Sequence, residues 1–178
     1  MRYIRNNSTD VYFNMAFDEY ALEQLPLDEP LFYLWQNRPA VIIGINQNIH
    51  TEVDLDYARE HDIAVARRIT GGGAVYHDLG NLNYSFISDS DGIDNAALER
   101  FSKPIIRALA KLGVTAETSG RNDIQIDGHK VSGTAQRKFK NRILHHGTLL
   151  FDSDFSMLSG ALQVDEEKIK AKLEEAGA

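Results

Sequence analysis

At 178 residues, with no cysteine and a formal charge of −7 from 19 basic and 26 acidic side chains, the chain is sized for one domain spanning residues 1–178 and has no means of forming disulfides, thiolate metal sites or a cysteine nucleophile. The acidic balance argues against nucleic acid as the main partner, because phosphate binding needs a basic footprint. The N-terminus lacks a signal-type apolar core and the longest apolar run, residues 40–45, is far short of a membrane span, so a cytoplasmic protein without membrane contact is expected.

Residues 15–25 predict a helix, with Ala16, Tyr20 and either Glu23 or Gln24 one turn apart. LFYLWQ (31–36) and AVIIGI (40–45) read as short strands, and Arg38-Pro39 between them predicts a hairpin or a bend. Residues 53–60 predict a short helix. A strand over 64–68 runs into Thr70-Gly71-Gly72-Gly73, and residues 82–87 alternate apolar and polar as a strand does. Residues 95–112 carry the clearest helical stripe: Leu98, Phe101, Ile105, Leu109 and Leu112. Pro104 is expected to kink or delay that helix and Gly113 to stop it. Three more strands are expected near 123–126, 129–135 and 147–151, before a charged helix opening at Asp165. Strands come in hairpin-like pairs rather than alternating with helices one for one. That favours an α/β domain of the α+β type, with a mixed, largely antiparallel sheet flanked by helices.

The stretch RRITGGGAVYHD, from Arg67 to Asp78, carries the most information. Consecutive glycines let the backbone approach a ligand and turn successive amides into one anion-binding concavity. Arg67 or Arg68 adds a cation with the geometry for phosphate or carboxylate. The loop is not a P-loop, which ends Gly-Lys-Ser/Thr, nor a dinucleotide fingerprint, which needs glycine where Tyr76 stands and a helix afterwards. It is expected to join two strands. The bland alternative is a flexible turn beside a solvated arginine pair.

In GRNDIQIDGHKVSGTAQ, Asp127-Gly128 marks a two-residue hairpin turn. The register that follows pairs Gln125 with Lys130, Ile124 with Val131 and Asp123 with Ser132. Asp123, Gln125, Lys130 and Ser132 then share one face, opposite Ile124, Ile126, Val131 and His129. A pocket lysine can neutralise a phosphate or polarised carbonyl as charge develops, and Asp123 beside it is a candidate carboxylate for Mg²⁺. The alternative is an exposed face with a surface ion pair, although Gly133 within the strand suggests a close approach.

His145 and His146 are adjacent in a strand and must face opposite ways, so they do not share one metal. One is expected in the core or a polar network, the other at a pocket wall. Trp35 reads first as a core residue; a hydrophobic acid would still need apolar walls, for which Trp35, Tyr33 or Ile43 are candidates. The basic run from Arg137 to Arg142 reads first as a solvated loop, and second as a mobile lid or an edge for docking an acceptor.

RRITGGGAVYHDLGNLNYSF, GRNDIQIDGHKVSGTAQ and HHGTLLFDSDFSML, in that order, resemble the three motif blocks of the lipoate–protein ligase A family; NMAFDEYAL and VIIGINQN also fit. The resemblance implies a fold related to the catalytic domains of biotin ligases and class II aminoacyl-tRNA synthetases. It implies ATP-dependent activation of lipoic acid to lipoyl-AMP, then transfer to a lysine of an acceptor protein. The implied acceptors are lipoyl domains of 2-oxoacid dehydrogenase E2 subunits and the glycine-cleavage H protein.

Carried over by position, Lys130 contacts the lipoate carboxyl and the adenylate phosphate, and is the catalytic residue. Arg68, Gly73, Ala74, Val75 and Tyr76 bind the nucleotide with Asn122 and Asp123, the latter towards Mg²⁺. Thr70, Gly71 and Gly72 line the lipoyl slot, with His77 and His146 as further pocket residues; Trp35 joins them only as the apolar-wall candidate named above. Family members extend well past this point, so the resemblance also implies a missing C-terminal segment or subunit. Two other readings compete: an ATP-independent octanoyl or lipoyl transferase of the same fold, and a non-catalytic lipoate-binding accessory subunit.

Overall fold

The computed structural model describes residues 1–90, 95–120 and 123–162. In chain order the elements are β1 (Arg2–Arg5), α1 (Val11–Glu23), β2 (Leu31–Trp35), β3 (Ala40–Ile43), α2 (Ile49–Glu52), α3 (Leu55–Glu60), β4 (Ala64–Arg67), β5 (Val75–His77), β6 (Asn81–Asp89), α4 (Asn95–Lys111), β7 (Glu117–Ser119), β8 (Asp123–Ile126), β9 (His129–Phe139), β10 (Arg142–Leu150) and α5 (Phe155–Ala161). The helix expected from Asp165 lies outside the described residues.

Capping decides where the helices begin. α1 starts at Val11, ahead of the expected residue 15, because the Asp10 carboxylate accepts from the Tyr12 and Phe13 amides. The single helix expected over 53–60 is two short ones. Asn48 caps α2 and Asp54 caps α3, with Val53 extended between them. α4 runs through Pro104 and ends before Gly113, which takes φ +80°. Phe101, Ile105 and Leu109 are buried as the stripe requires, but Leu112 lies past the helix end and is 72% exposed. The Leu98 side chain lies outside the described residues.

Among the described residues two sheets form, both mixed. The larger has the order β1-β2-β6-β10-β9-β8-β7, antiparallel throughout except β1 with β2; the smaller has the order β4-β3-β5, with β3 parallel to β4. The mixed, largely antiparallel architecture is therefore present. β2 and β3 are not a hairpin: the Arg38-Pro39 bend carries the chain from one sheet to the other. Residues 137–142 are not a solvated loop either. They form the tip of the long β9–β10 hairpin, where Arg137 donates to the Ile69 carbonyl and Arg142 to the Leu22 and Leu25 carbonyls.

α4 packs on one face of the large sheet through Phe101, Ile105 and Leu109 against Tyr84, Phe86, Ile124 and Ile143. α1 and the inner side of the small sheet cover the opposite face through Leu22, Tyr33, Trp35, Ile42 and Leu144. The outer side of the small sheet is closed by α2, α3 and α5, with Val41, Ile43 and Tyr76 at its centre. Among the described residues no helix is long and apolar enough to cross a membrane.

Candidate functional site

The glycine loop joins β4 to β5, strand to strand as expected. Arg68 is buried in its own loop: Nη2 donates to the carbonyls of Gly71 (2.7 Å) and Gly73 (2.8 Å), Nη1 to that of Ile42 (3.1 Å), and Nε to the Thr70 hydroxyl (3.0 Å). Burial lowers its pKa to about 10, which leaves it a cation near neutrality. Arg67 points elsewhere and donates to the carbonyls of Gly44, Ile45 and Gln47. Two glycines are needed for close packing. Gly72 sits at φ +96°, and a Cβ at Gly44 would collide with the Gly72 carbonyl oxygen. Gly71 and Gly73 differ, because a Cβ there would meet nothing within 4 Å.

That open space is a cavity of about 600 Å³ between the loop and the large sheet. Trp35, Arg68, Gly71, Gly72, Gly73, Ala74, Val75, Tyr76, His77, Asp123, Lys130 and His146 all line it. Residues from four separated stretches of sequence thus converge on one space. Thr70 is not at the wall: it lies behind it, bonded to Arg68 and to His146 Nε2 (2.8 Å). Asn122 lies outside the described residues. Ile42, not Ile43, supplies an apolar wall, since Ile43 faces the outer core. Tyr33 is buried without lining the cavity.

At the β8–β9 hairpin, Gln125 pairs with Lys130 as expected, but a bulge between Ile124 and Gln125 shifts the rest. Ser132 stands opposite Ile124 and Gly133 opposite Asp123; Ser132 is hydrogen-bonded to the Tyr84 hydroxyl (3.1 Å). The bulge leaves Asp123 and Lys130 together, Nζ to Oδ1 2.8 Å. Lys130 reaches back across Gly133, with Cε and Nζ 3.3 Å from where a Cβ would sit. Its side chain is 55% exposed, which puts the ammonium at the open part of the cavity, whereas Met15, Trp35 and Ile42 are buried. Among the described residues, Asp123 is the one carboxylate lining the cavity, and no cluster of three or more His, Asp or Glu is poised to hold a metal. That donor set fits a Mg²⁺ bound mainly through phosphates and one carboxylate, and not an all-protein metal cage.

The two histidines face opposite ways. His145 stacks on Phe101 (centroids 4.8 Å) in the α4 core, and its Nδ1 is 2.9 Å from the Gln136 amide nitrogen. Burial, then His146, pushes its pKa down to about 3. His146 faces the cavity, with Nδ1 2.7 Å from Asp18 Oδ2. Asp18 Oδ1 accepts from the Tyr33 hydroxyl (2.5 Å) and from Ser85 Oγ (2.9 Å), and Ser85 accepts from the Trp35 indole (2.9 Å). Burial and Asp18 push the Tyr33 pKa well up, so it donates as a phenol. His77 is held at a pKa of about 3, chiefly by burial, then by Arg68 and His146. Asn14 donates to Asn37 Oδ1, which turns the Asn37 amide nitrogen towards His77 Nδ1 (3.1 Å); the ring hydrogen is then on Nε2. His77 Nε2 and Asn81 Oδ1 are buried without partners in residues lining the cavity, an unused donor and an unused acceptor.

Met15, Asp18, Asn81 and Asn83 were not legible as site residues. Asp18 left one trace: it sits in the helical stripe Val11, Asn14, Met15, Asp18, Ala21, Leu22, which is the buried side of α1. A carboxylate in such a stripe needs partners.

A profile of the lipoyl protein ligase A/B catalytic domain matches residues 10–176. Lipoate–protein ligase 1 of Staphylococcus aureus is 50% identical over 173 residues, which are 97% of this chain and 53% of that protein. The chain therefore spans about half the length of the curated relatives it matches. Among solved structures, a putative lipoate protein ligase of Thermoplasma acidophilum with bound lipoic acid superposes with a TM-score of 0.85 at 32% identity, covering 92% of this chain and 73% of that one. A bi-partite lipoate protein ligase of the same organism, studied with its E2 lipoyl domain, gives a TM-score of 0.85 at 34% identity, covering 98% and 71%. A lipoate-protein ligase A bound with ATP gives 0.82 at 32% identity, covering 93% and 71%.

Proposed function

The chain belongs to the lipoyl protein ligase A/B catalytic domain family, and on that premise we propose that it forms the substrate-activating part of an ATP-dependent lipoate–protein ligase. A lipoate carboxylate oxygen attacks the α-phosphorus of ATP and pyrophosphate leaves, giving lipoyl-AMP. The ε-amine of an acceptor lysine then attacks the acyl carbon, loses a proton and releases AMP. The acceptors in this reading are lipoyl domains of E2 subunits and the glycine-cleavage H protein. In this reading the enzyme works in the cytoplasm.

The observation that carries the reading is the gradient along one cavity. Its inner wall is apolar and buried at Met15, Trp35 and Ile42, while a cation, Lys130, stands at the open part. A hydrophobic acid is suited to enter tail first and leave its carboxylate at Lys130. The open backbone at Gly71 and Gly73, continuing through Ala74, Val75 and Tyr76, offers amides to a nucleotide beside it. Lys130 then faces both the carboxylate and the α-phosphate, and stabilises negative charge as the phosphorus becomes pentacoordinate. Asp123 would hold Mg²⁺ as its protein carboxylate, and the ion would neutralise charge on the phosphates. No protein nucleophile is needed, because the adenylate is the activated acyl group.

The test is lipoate-dependent pyrophosphate release from ATP, with the remainder of the ligase present, for the native chain and for Lys130→Ala. The native chain is expected to turn over. The variant is expected to lose about 100-fold or more in rate while melting within a few degrees of native, since the side chain is more than half exposed. A folded Lys130→Ala variant with the native rate would overturn the assignment. Acyl transfer between carriers without ATP would favour the transferase reading, and lipoate binding without turnover the accessory one.

A further inference from the structure

Asp18 is a buried carboxylate outside the three motif blocks, and it accepts three hydrogen bonds, from Tyr33, Ser85 and His146. A carboxylate only accepts, so His146 must donate from Nδ1. In the singly protonated ring Nε2 is then an acceptor, and the group facing that nitrogen is the Thr70 hydroxyl at 2.8 Å. With that ring Thr70 donates its hydrogen to His146 and uses its oxygen to accept from Arg68 Nε. The directions run one way, from Arg68 through Thr70 and His146 to Asp18, and none conflicts with another. The chain of bonds also crosses the cavity wall: Arg68 and Thr70 belong to the glycine loop above, His146 to β10 below, and Asp18 to α1 behind.

We propose that Asp18 is a positioning residue of this site, which fixes the His146 tautomer and through it the direction of the Thr70 hydroxyl and the seating of the glycine loop. With the native directions the Thr70 hydrogen is turned away from the cavity. Removing the charge at position 18 reverses the chain. An asparagine amide facing Nδ1 donates to it, Nε2 then carries the hydrogen and donates to Thr70, and the Thr70 hydroxyl must turn elsewhere. For lipoate this matters at the wall of its slot, a consequence that rests on the ligase reading; the tautomer does not.

The experiment is nitrogen-15 NMR of histidine-labelled chain near neutral pH, native and Asp18→Asn, followed by lipoate and ATP kinetics with the remainder of the ligase present. The native spectrum is expected to show His146 protonated at Nδ1 and unprotonated at Nε2, with the tautomer exchanged in Asp18→Asn. The variant's KM for lipoate should rise on the order of tenfold, with a smaller change in the KM for ATP. Thr70→Val, which cuts the chain at its loop end and leaves Asp18 in place, is expected to raise the lipoate KM similarly. Nε2 protonation in the native chain would overturn the proposal even if Asp18→Asn failed to fold. So would a folded Asp18→Asn variant with the native tautomer. A native chain with the expected tautomer and no lipoate-dependent turnover would sink the ligase reading and leave the tautomer assignment standing.

Discussion

Lys130 and His77 mark how differently single residues announce themselves. Lys130 is legible because Asp127-Gly128 sets a hairpin, and a lysine three residues past Asp127 must pair with Gln125. Its partner Asp123 was placed correctly beside it for a partly wrong reason, since the bulge after Ile124 slips the register that was expected to align them. Adjacent histidines at 145 and 146 were legible as opposite-facing from strand alternation alone. Asp18 was not, because its three partners lie 15, 67 and 128 residues away in sequence. Buried neutral histidines also have a thermodynamic consequence. His77 and His145 have folded-state pKa values of about 3, against about 6.5 unfolded. Between those values the unfolded chain binds protons that the folded chain does not. Stability is therefore intact above pH 6.5 and falls as pH drops towards 3, by up to about 1.4 kcal/mol per pH unit for each group. Denaturant melts of native and His145→Phe between pH 7 and 4 are expected to show a shallower acid loss in the variant. Parallel slopes would mean that His145 is protonated in the folded chain.

At the scale of elements, the glycine loop is a braced structure and not a flexible turn. Arg68 ties the carbonyls of Gly71 and Gly73 to the buried carbonyl of Ile42, and Gly72 takes a left-handed φ above the close approach of Gly44. That the loop joins two strands could be read from the β-type residues on either side. That the arginine serves the loop's own carbonyls could not, because the same residue types suit a ligand phosphate equally well. Gly72→Ala places a side chain in left-handed backbone and 2.9 Å from Arg68 Nη2. The expected loss is about 1–2 kcal/mol of stability, read by denaturant melts, together with weaker nucleotide and lipoate binding. A variant of native stability and affinity would show that the loop does not need this conformation. Most strands were legible in kind, but β1 and β7 were not expected, and extent was read least well. β9 and β10 run on to a shared tip through their basic far ends, whose arginines are anchored by carbonyls that only the folded chain brings near.

For the whole molecule, alternation and turn signals were enough to indicate a mixed, largely antiparallel architecture, but not its division into two sheets. The bend at Arg38-Pro39 looks the same in sequence whether it closes a hairpin or crosses between sheets. That crossing makes the site, since the cavity lies between the large sheet and the loop carried by the small one. A chain about half the length of its curated relatives still assembles most of the expected binding residues around this one space. The central claim is that lipoate is activated there by direct attack of its carboxylate on the α-phosphorus of ATP. The most direct measurement uses lipoate labelled with oxygen-18 in the carboxylate, unlabelled ATP, an acceptor lipoyl domain and the chain with the remainder of its ligase, with mass spectrometry of the AMP released. Attack through the carboxylate leaves one carboxylate oxygen on phosphorus when the lysine takes the acyl group, so AMP carrying one labelled oxygen is expected for each lipoyl group transferred. Lipoylated acceptor accompanied by unlabelled AMP, or by no AMP at all, would contradict the account.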